Sequence, residues 1–282
     1  MTLREGLARG EAQLRQGPHP ERARRDAETL LQHLVGKNRA WLLSHLDDGL
    51  GESEAIVFAG LLERRLRGEP IQYIMGETEF YGLPFRVTPD VLIPRPETEH
   101  LVEKAVELGW QFSKPRIVDV GTGSGAIAIA LAHAVANALV TAVDLSDKSL
   151  AIARANAERN AVADRVQFLR GDLLAPVASE RFEIVVSNPP YVAAADREAL
   201  AVEVREHEPE IALFAGEDGL AMYRRLIPQA YAVIVPGGFI ALELGFGQAE
   251  AVGLLLEEAG FAEIAFTRDL QGIPRVAAAR RV

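Results

Sequence analysis

The chain contains no cysteine, which removes disulfides, cysteine-ligated zinc, iron–sulfur clusters and thiol catalysis from the chemistry open to it. Lysine is scarce, limited to Lys37, Lys104, Lys114 and Lys148, and 40 acidic residues outweigh 30 basic ones for a formal net charge of −10. Binding that works chiefly by neutralising phosphates needs clustered cations, so nucleic acid is disfavoured as a partner. Long apolar runs are missing as well. Unbroken stretches such as Ala126 to Ala132 fall far short of the roughly 20 residues a membrane helix needs, and no membrane span is expected. Met1-Thr2-Leu3-Arg4 runs directly into charged, helix-forming sequence without an apolar leader, so no secretory signal is expected and the location predicted is cytoplasmic.

What is present is the composition of a soluble globular protein, 49% hydrophobic and 25% charged over 282 residues, enough for two domains with their own cores. Three segments are expected: an all-helical domain over 1–75, a β-hairpin linker over 76–95, and an α/β domain over 96–282. In the first, Leu3, Leu7 and Leu14 repeat at helical spacing until Gly17-Pro18 interrupts. A second helix, Glu21 to Val35, closes at Gly36, and a turn follows at Arg39 to His45. Ser53 is expected to cap a further helix whose apolar side is Ile56, Val57, Ala59, Gly60, Leu61 and Leu62. His19, His33 and His45 share no metal-ligand spacing and read as polar surface. The linker hairpin is expected to turn at Tyr81-Gly82-Leu83-Pro84. Beyond it, Pro96 suits the first position of a helix that runs to Leu108, with Glu97 and Glu99 at its positive end.

From Pro115 strands and helices alternate, as in a parallel sheet. Strands at Arg116–Val120, Leu139–Asp144, Val166–Arg170 and Phe182–Ser187 each end in something polar or glycine-rich, where a doubly wound sheet keeps its ligand. The first is followed by Gly121-Thr122-Gly123-Ser124-Gly125, whose glycines let backbone amides and a helix N-terminus approach a bound group closely. Asp144, closing the second strand, is placed to accept from both hydroxyls of a ribose. Asp172, just past the third, is a candidate acceptor for an adenine amino group. Gly121, Gly123 and Ala126 also satisfy a dinucleotide spacing, so this half leaves nicotinamide and S-adenosyl-L-methionine both open.

The fourth strand end decides between them. In Asn188-Pro189-Pro190-Tyr191 two prolines fix φ, withhold two donors and end sheet pairing, leaving a shelf of carbonyl acceptors. The Asn188 side-chain oxygen and the Pro189 carbonyl can accept both hydrogens of one planar NH2 group, with the Tyr191 ring as an apolar face beside it. Hydride transfer has no use for such a pair. Methylation of an amide or exocyclic amine does, because the nitrogen must be aligned with an already activated methyl.

Four stretches carry a resemblance to a known family: Gly68-Glu69-Pro70-Ile71-Gln72-Tyr73-Ile74, Leu92-Ile93-Pro94-Arg95-Pro96-Glu97-Thr98-Glu99, Asp119-Val120-Gly121-Thr122-Gly123-Ser124-Gly125 and Ser187-Asn188-Pro189-Pro190-Tyr191. Over nearly its whole length the sequence resembles the release-factor glutamine methyltransferases of HemK/PrmC type. The resemblance implies a Rossmann-like, seven-stranded S-adenosylmethionine-dependent domain behind a helical substrate-recognition domain. The activity implied is methyl transfer to the glutamine amide in the Gly-Gly-Gln loop of class I peptide-chain release factors. Gly121, Thr122, Gly123, Ser124 and Gly125 would then hold the methionine part of the cofactor, Asp144 its ribose, and Asp172 and Leu173 its adenine. Asn188, Pro189, Pro190 and Tyr191 would hold the glutamine, with Asn188, Pro189 and Tyr191 catalytic and Asn188 also touching the cofactor. Leu173 stands where some relatives have an aromatic ring, so apolar contact replaces stacking. Arg95 to Thr98 would shape the substrate entrance. The rival readings are an adenine-N6 nucleic-acid methyltransferase, whose similar corner holds an extruded base, a nicotinamide oxidoreductase, and a silent cofactor-binding adaptor.

Overall fold

A computed structural model describes all residues, 1–282. The chain forms two compact units: Met1–Glu77 together with Leu200–His207, and Thr78–Ala199 together with Glu208–Val282.

The first unit is helical, built from α1 (Leu3–Leu14), α2 (Ala23–Val35), α3 (Arg39–Ser44), α4 (Glu52–Leu66) and α5 (Ile71–Met75). Thr2 and Glu5 cap α1 reciprocally, the Glu5 amide donating to Thr2 Oγ1 and the Thr2 amide to Glu5 Oε2. Leu7, Leu30, Leu31, Leu42, Phe58 and Leu62 make the core. α4 departs from the sequence expectation in two respects. It begins at Glu52 with Gly51 as cap, whose amide donates to Glu54 Oε2 at 2.8 Å, so Ser53 lies inside the first turn. Its buried stripe is Phe58, Leu62 and Arg65, while Ile56 and Val57 are 69% and 51% exposed. The stripe at steps of three and four, not the apolar run, meets the core.

Arg65 explains why a distant piece of chain belongs here. Its buried guanidinium donates to Asp26 (2.6 Å), to the Glu69 carbonyl and to Glu203 (3.0 Å). Glu203 lies in a short helix, Val202–His207, and also faces Arg22 and His19.

In the second unit the strands are β1 (Glu77–Phe80), β2 (Leu83–Arg86), β3 (Arg116–Val120), β4 (Leu139–Asp144), β5 (Val166–Arg170), β6 (Phe182–Ser187), β7 (Ile234–Glu243), β8 (Phe261–Arg268) and β9 (Pro274–Arg281). β1 and β2 form the hairpin. Its turn is Tyr81-Gly82 alone, both with positive φ (53° and 71°), so Leu83 and Pro84 already belong to the second strand.

The other strands make one seven-stranded sheet in the order β5-β4-β3-β6-β7-β9-β8, parallel except for β9, which runs antiparallel to both neighbours. Successive side chains of β6 serve opposite cores: Ile184 and Val186 pack with Leu101, Val102 and Ile129, whereas Val185 packs with Tyr223, Leu226 and Ile227. Burial on both faces is why Ile184, Val185 and Val186 follow one another without a polar break. β7 carries the glycine pair Gly237-Gly238 near its start. Its register with β6 shifts between Phe182 and Ile184, and a Cβ on Gly238 would lie 2.6 Å from the Glu183 carbonyl oxygen. From β3 the chain winds outward through β4 and β5, and then returns to β6 on the other side. The switch point therefore lies between the carboxyl ends of β3 and β6, where Val120 pairs with Ser187.

Candidate active site

A cavity of about 440 Å³ opens at that switch point, within the usual range for a small-molecule site. The glycine loop after β3 forms its floor. The amides of Gly121 and Thr122 both donate to the Val143 carbonyl, turning the chain sharply over β4. Gly121 (φ 75°) and Gly123 (φ 55°) face open space where a Cβ would project, and both line the cavity. Gly125 (φ 82°) serves packing instead: a Cβ there would meet Ile129 at 2.9 Å and Ala153 at 3.1 Å. Thr122 and Ser124 are buried. Thr122 Oγ1 donates to Asp119 Oδ2 at 2.6 Å, and the Ser124 carbonyl accepts from Asn156.

Asp119, which the sequence offered only as the first residue of the glycine motif, is the buried keystone of this loop. Its Oδ2 also accepts from the Ala128 amide, tying strand, loop and the following helix together. Burial pushes its carboxyl up to about 7, against the pull of Thr122 and Ala128 and with some help from Asp144. Its Oδ1 has no partner.

Asp144 is held by two backbone donors, Gly123 N to Oδ2 (2.8 Å) and Ser146 N to Oδ1 (2.9 Å). A carboxylate oxygen can accept twice, so each keeps a lone pair for a ribose hydroxyl. Asp172 and Leu173 come from the next strand end, and Leu173 adopts a positive φ of 51° with its side chain buried. Asp172 accepts from Arg225 Nη2 at 2.5 Å, a half-exposed pair whose arginine the sequence reading had not marked. Ile211 and Phe214 complete the apolar wall, and these too were missed, since no strand or helix pattern announces them.

Asn188 and Pro190 line the same cavity as Gly121, Gly123, Asp144, Asp172 and Leu173. The corner is anchored from behind. Ser187 Oγ donates to the Val120 carbonyl at 2.7 Å, locking the end of β6 to β3. Asn188 Nδ2 donates to Thr98 Oγ1 at 3.1 Å, which leaves Oδ1 as the free end of the carboxamide. Pro189 is buried. The Tyr191 hydroxyl points to Glu243 Oε1 over 3.5 Å, while the Tyr191 carbonyl accepts from Gln248 Nε2. Burial, and then Glu243, push the Tyr191 hydroxyl well above the ordinary tyrosine value, so it stays protonated.

The Arg95–Thr98 segment also gains a physical account. Arg95 donates to the buried Glu208 at 2.5 Å, and the same carboxylate accepts from the Ile93 amide. The Leu92–Glu99 stretch is thereby pinned with Thr98 against Asn188.

Known proteins resemble this chain in both its helical and its α/β part. A family model described as the PrmC N-terminal domain matches residues 5–76, and one described as the methyltransferase small domain matches residues 98–207. Among similar sequences, the release factor glutamine methyltransferase of Geobacter sulfurreducens is 44% identical over 92% of this chain and 90% of its own length. That of Koribacter versatilis is 39% identical over 100% of this chain and 99% of its own. Among solved structures, the hMettl16 catalytic domain bound to an RNA hairpin gives a TM-score of 0.58 at 18% identity, covering 82% of each chain. A Thermus thermophilus 16S rRNA methyltransferase gives 0.55 at 22% identity, covering 73% of this chain and 50% of that one. These two likenesses concern the fold alone. The matches along the full length decide the identity: the chain belongs to the release factor glutamine methyltransferase family.

Proposed function

We propose that the chain transfers a methyl group from S-adenosyl-L-methionine to the side-chain amide nitrogen (N5) of the glutamine in the Gly-Gly-Gln loop of class I peptide-chain release factors. The observation that carries this reading is the Asn188 carboxamide. Its nitrogen is engaged with Thr98, so an acceptor oxygen is left at a cavity that also holds the glycine cradle and Asp144. The open space at Gly121 and Gly123 suits the methionine part of the cofactor, Asp144 the ribose, and Asp172 with Leu173 the adenine.

Bound S-adenosylmethionine supplies an activated methyl, and the chain's own residues supply alignment. Asn188 Oδ1 and the Pro189 carbonyl accept the two hydrogens of the glutamine amide, fixing its plane and turning its nitrogen toward the methyl. Positive charge grows on that nitrogen as the bond forms, so both acceptors hold the transition state more tightly than the ground state. Tyr191, kept as a neutral phenol, gives the approaching side chain an apolar face. Thr122, Ser124 and Gly125 act on the cofactor through the shape of the loop.

A protein substrate accords with the charge of −10, which opposes phosphate binding. The helical unit, with no chemistry of its own, serves to position the release factor, and the setting is the cytoplasm, where translation factors work. No helix is long and apolar enough to cross a membrane. Incubating the enzyme with labelled S-adenosylmethionine and a purified class I release factor, then mapping the label by peptide mass spectrometry, tests the reading. Label on the Gly-Gly-Gln glutamine is expected; label on bound nucleic acid instead would favour the adenine-N6 alternative.

A further inference from the structure

We propose that Glu208 and Arg95 are positioning residues for the cofactor: their buried ion pair clasps two distant chain segments together and holds in place the apolar strap against which S-adenosylmethionine binds. The inference rests on the reading that this cavity receives that cofactor.

Two loops contribute to the cavity wall, one through Pro89 and Leu92, the other through Pro209, Ile211 and Phe214. Neither lies in a strand of the seven-stranded sheet. The clasp stands at the root of both. Glu208 immediately precedes Pro209, and its carboxylate accepts from Arg95 Nη2 at 2.5 Å and from the amide of Ile93, the residue after Leu92, at 3.4 Å. One side chain thereby ties the two walls together. The Glu208 side chain is 1% exposed, that of Arg95 31%. A carboxylate taken so far out of water depends on its cation, and the pair is charge-assisted and short.

The far end of the strap is fastened by backbone. The Val192 amide donates to the Leu213 carbonyl and the Ala215 amide to the Val192 carbonyl, both at 2.9 Å, so that Val192 and Phe214 form a parallel bridge. These bonds fall one residue past Tyr191. Between the two anchors the strap makes only a short 3₁₀ turn, Glu210–Ala212, and Ile211 is 63% exposed. The chain arrives at Glu208 from Leu200–His207, which belongs to the helical unit, so the clasp is where the strap is first fastened to the catalytic unit. Without Arg95, the Glu208 carboxylate becomes a buried, uncompensated charge that gains by moving into water, and it takes Pro209 and Ile211 with it. Cofactor binding must then order Ile211 and Phe214 anew, at a cost in affinity.

The test is calorimetric titration of the full-length enzyme with S-adenosylmethionine. Thermal midpoints and hydrogen exchange over residues 208–216 of the cofactor-bound protein are measured on each variant. Arg95→Met should raise the cofactor Kd about 5-fold to 100-fold, the scale of re-ordering two wall side chains, and should speed exchange in the strap. Arg95→Met/Glu208→Gln should recover most of the affinity, because a neutral amide of the same shape can stay buried and still accept from the Ile93 amide. If Arg95→Met does not fold, Glu208→Asp, whose carboxylate falls one methylene short of Arg95, carries the same measurements with the same expected loss. A wild-type Kd in the single variant, a lowered thermal midpoint with Kd and strap exchange unchanged, or a double variant as weak as Arg95→Met would overturn the inference alone. Wild-type affinity in Asp144→Ala would instead remove the cofactor from this cavity, and the inference with it.

Discussion

Gly219 and Tyr191 meet backbone to backbone: a Cβ on Gly219 would lie 2.3 Å from the Tyr191 carbonyl oxygen, and its φ of 73° is one that L side chains rarely adopt. Gly219→Ala must therefore push Tyr191 out of place as well as strain its own backbone. The expected outcome is a loss of about 1 to 3 kcal/mol in stability, typical of such strain, with methylation falling further than cofactor affinity. Urea unfolding beside calorimetric titration checks this. A variant with normal stability and rate would show that Tyr191 needs no fixed position.

Asp144→Ala should weaken S-adenosylmethionine binding by about 1.5 to 3 kcal/mol, the worth of hydrogen bonds to a charged acceptor. Part of the loss will come through the loop, since the Gly123 and Ser146 amides lose their acceptor too. Calorimetric titration showing wild-type affinity would remove Asp144 from the ribose site.

Asp172 carries a sharper question, because its carboxylate already holds Arg225. The side chains of that pair are 52% and 50% exposed, so the contact itself is worth little. Arg225→Ala should leave cofactor affinity within about threefold, while Asp172→Ala should weaken it by about 1 kcal/mol or more through the lost adenine acceptor. The opposite ranking would make Asp172 an anchor for Arg225.

Much of this site was legible from the sequence because the chemistry sits where strands stop. Gly121, Asp144 and Asn188 stand at the ends of buried strands that Val118 and Val120, Val140 and Val143, and Val185 and Val186 mark, and parallel topology then brings those ends together with Asp172, which follows the more polar β5. What was not legible acts across the chain. Thr98 stands 90 residues from Asn188, and Glu243 lies 52 from Tyr191. Glu243 ends a strand too, but a single carboxylate before Leu244-Gly245 carries no spacing that distinguishes it from a turn acid. Arg225 sits in the helix Ala221–Val233 on the side away from its core and reads as ordinary surface. The expectation for α4 failed for a related reason. Ile56 and Val57 made the run look apolar, whereas position around the helix decides burial, and there Arg65 was buried by Asp26 and Glu203.

Burial of Glu243 also gives stability a pH dependence of definite sign. Its carboxyl rises from the usual 4.5 to about 7 on folding, worth about 3 kcal/mol. The folded state thus binds the proton more tightly than the unfolded chain. This contribution is fully present below about pH 4.5 and is lost as pH rises toward and through 7. Across that window Glu243→Gln should gain stability relative to wild type as pH rises, with the difference constant above it. Chemical unfolding of both proteins from pH 5 to 8 measures this; parallel curves would mean that Glu243 is not buried in the folded protein.

The central claim is that Asn188 presents an acceptor to the glutamine amide, and single-turnover methylation of a class I release factor by Asn188→Ala tests it most directly. Loss of one preorganised hydrogen-bonding group should lower the rate by about 100-fold to 1,000-fold. Cofactor affinity should stay near wild type, and Asn188→Asp, which keeps an acceptor of almost the same shape, should retain more activity than Ala. An Asn188→Ala enzyme that methylates the glutamine at close to the wild-type rate would contradict the account.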